Sequence, residues 1–194
     1  MFGYSYLENM YVCFQILRFV QLSIIDDNGF IAIVNRANYQ SFVDNKWQFD
    51  QLIAHFIYQM NSGNIVVWQT SNDGGGNWGV SFSEQPTGTD AYREFEHFIN
   101  VTEGKLFLAD YSDLTMAAQF SDEPIPAIHN ADRIIELENG WYKFTVRQLF
   151  DPDNCLEYFD TETDRNVSFE VIFTPVKEPV RQKMTAVYWF EAAS

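Results

Sequence analysis

Between Asp151 and Arg165 the chain carries six carboxylates, Asp151, Asp153, Glu157, Asp160, Glu162 and Asp164, with no base among them. Carboxylates so spaced can chelate a divalent cation, work as an acid–base pair, or stand in for phosphate toward a basic partner. Calcium asks for about six to eight oxygens from a compact loop. Asp160, Glu162 and Asp164 alternate as such a loop would, but Arg165 stands where the turn glycine belongs and a Val where the bidentate Glu should be. The expectation is therefore no metal and no cofactor. Glycoside hydrolysis needs two carboxyls about 5 to 9.5 Å apart across a sugar. Glu94 with Glu96, and Glu136 with Glu138, share strand faces at i, i+2, a spacing that is equally ordinary on a solvent-facing surface. The third use needs no special geometry, because a dense negative edge steers basic partners by its field alone.

His55, His97 and His129 stand apart from one another and from Cys13 and Cys155. None lies in a zinc spacing, and none has a visible orienting partner for proton transfer. Neither a nucleophile elbow nor a phosphate-binding P-loop is present. Gly74-Gly75-Gly76 falls between strands rather than ahead of a helix, so it reads as a flexible hairpin tip, not a phosphate cradle. Trp78, at the mouth of that loop, and Trp141, on the polar side of its strand, are candidate platforms for a sugar or anchors for a protein.

The elements that must carry these residues are mostly strands. Aromatics make up 17% of the 194 residues, which favours strands and a sizeable core. Asn139-Gly140 is the dipeptide that a type I′ turn prefers, so Asp132 to Asp151 reads as a hairpin. That register would pair Leu137 with Tyr142, Ile135 with Phe144 and Glu136 with Lys143. Three more hairpins are expected: one within the first 34 residues, one from Ile65–Thr70 to Trp78–Phe82, and one from Phe95–Val101 to Lys105–Ala109. Val167 to Phe173 alternates cleanly, and Thr185 to Phe190 closes as a last strand. Phe49, Leu52, Ile53, Phe56, Ile57 and Met60 form one helical stripe, capped by Asp44 or Asn45 and stopped by Asn61-Ser62-Gly63. His55 would lie at its edge. Leu114 to Ala118 reads as either a helical turn or an edge strand.

The net charge of −15 disfavours direct nucleic-acid binding and anionic membranes. Most of the excess lies between residues 84 and 178. The apolar run Tyr11 to Ile25 is interrupted by Gln15, Arg18 and Gln21, lacks a basic lead and a cleavage site, and is too short to span a bilayer. Cytoplasmic location, with reduced thiols at Cys13 and Cys155, is expected; one disulfide is the alternative.

Three places look familiar: Gln21-Leu22-Ser23-Ile24-Ile25-Asp26, Phe98-Ile99-Asn100-Val101-Thr102-Glu103-Gly104-Lys105-Leu106, and Glu138-Asn139-Gly140-Trp141-Tyr142. In this order they resemble the competence protein J type of small acidic β-sandwich, whose founding member inhibits a nuclease of DNA uptake. The resemblance runs from about Arg18 to Phe150 and leaves the helical insert after Val34 and the C-terminal part without counterpart.

The sequence thus reads as mainly β, an antiparallel β-sandwich with one amphipathic helix at about residues 46–60, with 1–194 as a single domain. The expected function is binding rather than catalysis: an acidic inhibitor or immunity protein that blocks a basic nuclease or toxin. Asp151, Asp153, Asp160, Glu162 and Asp164 would meet the partner, with Trp141 as apolar anchor. The alternatives are a carbohydrate- or small-ligand-binding sandwich and an enzyme of unrecognised type.

Overall fold

The structure, a computed structural model, describes residues 19–42, 46–72, 74–154, 167–180 and 183–191. Cys13, Cys155, Glu157, Asp160, Glu162, Asp164 and Arg165 lie outside the described residues, as do Asp44 and Asn45. In chain order the elements are β1 (Val20–Asp26), β2 (Phe30–Val34), α1 (Phe49–Asn61), β3 (Ile65–Gln69), β4 (Gly76–Ser83) and β5 (Arg93–Val101). They continue with β6 (Lys105–Asp110), α2 (Tyr111–Gln119), β7 (Ile134–Glu136), β8 (Gly140–Gln148) and β9 (Val167–Val176).

One sheet has the order β1-β4-β9-β8-β5 and the other β3-β2-β6-β7. Their inner faces enclose a common core that includes Ile24, Trp68, Trp78, Phe82, Phe144 and Phe169. Each fully buried large side chain of this kind contributes roughly 1.5–3 kcal/mol. Both helices lie on the outer face of the four-stranded sheet, where Leu52, Phe56 and Met60 of α1 and Leu114, Ala117 and Ala118 of α2 meet Ala32, Val34, Ile65 and Val67. The four-stranded sheet is therefore covered on both sides. That is why Phe30 to Val34 is buried at every position and reads as an unbroken apolar run.

The sandwich is as expected, but the hairpins are not. β1 and β2, β3 and β4, β5 and β6, and β7 and β8 each belong to different sheets. The short connections are arches across the core rather than turns along a ladder. At Asn139-Gly140 the reason is local: Gly140 has positive φ, but Asn139 does not, so the type I′ turn is not made. Instead the Asn139 carboxamide accepts from the Gly104 amide at 2.7 Å and joins two neighbouring arches. Leu137 and Ile135 do share a core with Tyr142 and Phe144, but from the opposite sheet. Lys143 pairs with Glu96 at 2.6 Å, not with Glu136.

The antiparallel expectation also needs one correction, since β4 runs parallel to β9. The final segment is not a strand. It makes a single parallel bridge, Trp68 with Tyr188. Helix α1 starts at Phe49 with Gln48 as its cap residue, whose amide bonds the Gln51 carboxamide at 2.7 Å. A second helix, α2, takes the helical of the two alternatives read over Leu114 to Ala118. Asp110 begins it by accepting from the Asp113 amide at 2.8 Å. Gly75 is no flexible tip: a Cβ there would come within 1.8 Å of the Asp26 carbonyl, so the glycine lets two backbones touch.

Candidate functional site

β5 is an edge strand of the five-stranded sheet. In an antiparallel ladder every second residue turns both backbone polar groups away from its neighbour. On β5 those residues are Glu94, Glu96, Phe98 and Asn100, because the Asn100 amide donates to the Gly63 carbonyl at 2.9 Å, away from β8. The Asn100 carbonyl accepts from the Asn35 carboxamide at 2.6 Å, and the Glu96 carbonyl from the Tyr188 hydroxyl at 2.7 Å. Between these two capped positions, the N–H and C=O of Phe98 have no hydrogen-bond partner among the described residues.

A groove of about 690 Å³ runs along this edge. Its walls are the end of α1 from Met60 to Gly63, the outward side chains Trp141 and Lys143 of β8, and the segment holding Pro179, Val180, Lys183, Met184 and Tyr188. Trp141 is half-buried and stands against Gly63. Trp78, by contrast, is only 3% exposed and packs on Phe169, so it is no platform.

His97 forms the floor. Its Nε2 lies 3.1 Å from the Met60 carbonyl and its Nδ1 3.1 Å from the Tyr188 hydroxyl. A carbonyl can only accept, so Nε2 carries the proton. Burial pushes the His97 pKa down to about 4 and that of the Tyr188 phenol up to about 12. The Tyr188 hydroxyl has one proton, directed to either the Glu96 carbonyl at 2.7 Å or His97 Nδ1 at 3.1 Å, and the neutral imidazole is a strut between β5, α1 and the C-terminal segment. His55, expected at the helix edge, is buried under Tyr39 and Phe42, and burial lowers its pKa to about 4.

The acidic candidates separate. Asp151 and Asp153 are neighbours: the Asp153 amide donates to Asp151 Oδ1 at 3.1 Å. Asp153 also receives the amide and the carboxamide of Asn72, at 3.0 and 2.7 Å. The hydrogen bond from Asn154 holds the Asp151 carboxyl below its usual range. Trp141 lies at the far end of β8, roughly 30 Å from Asp151 at about 3.3 Å per residue. The anchor and these carboxylates therefore do not form one patch. Glu94 and Glu96 share the outer face as expected, but each is ion-paired, with Arg147 at 3.3 Å and Lys143 at 2.6 Å.

Asp110, Asp113 and His129 bring their ligand atoms within 4.8 Å of one another, which the spacing in sequence did not suggest. The oxygens are already engaged. Asn130 donates to both carboxylates, at 3.1 and 2.6 Å, and the Ala127 amide bonds Asp113 at 2.9 Å. Burial raises the Asp113 pKa. These contacts form the capped start of α2.

These features define a helix-covered β-sandwich with an open groove at one sheet edge. No family model matches the chain, and no curated protein matches it. Among solved structures the chain is similar to "Crocagin biosynthetic gene J", with a TM-score of 0.57 and 11% identity over 82% of this chain and 97% of that one. It is also similar to ComJ, inhibitor of the DNA degrading activity of NucA, from Bacillus subtilis, with a TM-score of 0.45 and 10% identity over 82% of this chain and 98% of that one. The competence protein J likeness read from the sequence is met again here, as a weak resemblance of fold.

Proposed function

We propose that this protein acts by binding rather than by catalysis, as an acidic sandwich that seats on a basic protein of the nuclease or toxin kind. The observation that carries this reading is the excess of exposed carboxylates in a chain of net charge −15. Of the cations, Arg133, Lys143 and Arg147 are held in internal pairs or hydrogen bonds, while the exposed Arg36, Lys177 and Lys183 have no ion pair among the described residues. The exposed Asp90, Glu103, Asp122, Glu123 and Glu178 have no ion-pair partner among the described residues. A field of that sign accelerates encounter with a basic surface and fades with salt. Asp151, Asp153, Asp160, Glu162 and Asp164 are assigned to that contact. The shared core of the two sheets supports reading residues 1–194 as one domain. No described helix is long and apolar enough to cross a membrane, and the cytoplasm is the compartment we assign.

The test is affinity capture from the source cell at low salt. A basic protein should be retained, should elute as salt rises, and should be retained less by a chain whose five named acids are replaced by their amides. Equal retention by both chains would rule the reading out.

A second reading, a ligand-binding sandwich, is favoured by one observation: the groove that places Trp141 beside the Glu96–Lys143 pair.

A further inference from the structure

We infer that the groove beside β5 receives a short extended peptide segment bearing an acidic side chain, added to the sheet opposite Phe98. This rests on reading the groove as a ligand site and goes on to name the ligand.

The backbone supplies the first argument. Phe98 presents one donor and one acceptor to the groove, side by side, with neither used among the described residues. A peptide in extended conformation offers the complementary acceptor and donor on a single residue, which is how a strand adds to a sheet edge. The neighbours set the length. Gly63 already occupies the Asn100 amide and Tyr188 the Glu96 carbonyl. Only about one residue of the guest can therefore join the ladder, with its flanking residues turning out past Gly63 and Tyr188. A volume near 690 Å³ suits such a segment, within the roughly 300–1,000 Å³ usual for ligand sites.

The side chains supply the second argument. Trp141, Met60 and Met184 offer an apolar wall for a guest side chain on one face of the added strand. Lys143 is held by Glu96, while the exposed Lys183 has no ion pair among the described residues. In a chain of net charge −15 this leaves the groove with two ammonium groups against one carboxylate, the reverse of the molecule's overall sign. An acidic side chain near Lys183 matches that reversal, and a basic one is repelled by it.

The probes are an acetylated, amidated Val-Thr-Asp-Thr-Val peptide, the same peptide with its central amide N-methylated, the same peptide with Lys for Asp, and maltohexaose. Each is titrated into the full chain while the Phe98 amide and the Trp141 indole are followed by heteronuclear NMR. The parent peptide should move both resonances and slow exchange of the Phe98 amide. N-methylation should weaken binding about tenfold or more, as expected when a backbone donor is lost. Lys for Asp should weaken it severalfold, and Lys183→Glu should reverse that preference without touching the fold. Equal binding of the parent and N-methylated peptides, or binding that leaves the Phe98 amide unmoved, overturns the proposal. If maltohexaose alone moves the Trp141 indole, the groove is a ligand site and the peptide assignment fails. If no probe moves it, the ligand-site reading fails as well.

Discussion

The indole of Trp141 lies so close to Gly63 that a Cβ on the glycine would come within 2.5 Å of two ring carbons. Gly63 also has φ +72 and carries the carbonyl that receives the Asn100 amide, so one residue ends α1, seats the tryptophan and fixes the helix to β5. Gly63→Ala should lower stability by about 1–3 kcal/mol, from the left-handed backbone and the displaced ring together. A denaturant midpoint measures it. Trp141→Ala in the same chain should recover the part owed to the ring, so strictly additive losses would show that the contact does not matter.

Acid should weaken the fold, and the sign follows from four buried groups. His55 and His97 have folded pKa values near 4, below the ordinary 6.5, so the unfolded chain takes up their protons first. Their stabilisation is complete above pH 6.5 and drains away as pH falls toward 4. For His97, the more deeply held, the full swing is about 3 kcal/mol. Asp26 works the other way. Burial raises its pKa to about 6, so its ionisation costs stability above that pH, and the cost disappears as pH falls toward 3.8. Asp113, also raised by burial, acts in the same sense as Asp26, and the two histidine shifts outweigh the carboxyls to predict a falling urea midpoint from pH 7 to 4.5. Asp26→Asn should be more stable than the parent at pH 7.5 and should lose that advantage near pH 4. A midpoint that stays level or rises over this range contradicts the assignment.

Glu170 is wholly buried on the outer side of β9, where Arg147 neutralises it and the Thr87 amide donates to it at 2.7 Å. Arg147 also donates to the Thr89 carbonyl at 2.7 Å, so the pair straps the connector between β4 and β5 onto the sheet. Arg147→Met strands a buried carboxylate and should cost about 3–5 kcal/mol. Arg147→Met with Glu170→Leu should recover most of that loss, yet exchange of the Thr87 amide, which loses its carboxylate acceptor, should stay fast. Slow exchange in the double variant would place the strap elsewhere.

Asp153 serves two claims that can be separated. As the acceptor of both Asn72 donors it orders the loop before β4; as a carboxylate it belongs to the proposed partner contact. Asp153→Asn removes the charge but keeps one acceptor. It should slow association with a captured basic partner at low salt and leave the rate at high salt nearly unchanged, while global stability moves by less than about 1 kcal/mol. An equal drop at both salt levels would point to the loop rather than the field.

Strand positions were legible in the sequence because the alternation of Phe95, Ile99, Phe144, Val146, Phe169 and Val171 reports burial on one face, and burial survives whichever strand lies alongside. Partners were not legible. Ile135 and Phe144 meet across the core, and a residue facing the core from the opposite sheet looks the same in sequence as a residue facing it from a neighbouring strand. Over Leu114 to Ala118 a helical turn and an edge strand stayed open because the apolar run of α2 is short, although Asp110 and Asp113 at cap spacing were there to be read. Trp141 was legible as an outward aromatic. The groove around it was not, since Gly63, Tyr188 and Lys183 come from distant parts of the chain and meet only after both sheets have formed. His55 was misplaced for a similar reason: the cover over it comes from Tyr39 and Phe42, outside its own helix.

The arches have a kinetic consequence. Among the described residues no ladder joins strands linked by a short turn; β2 finds β3 only across α1, and β8 meets β9 with Gln148 opposite Phe169. No local ribbon can form early and template the rest, so the loop-closure entropy must be met before any sheet is rewarded. Topologies of such high contact order fold on about the millisecond-to-second scale or slower. An isolated peptide covering residues 132–151 should accordingly remain unstructured in water.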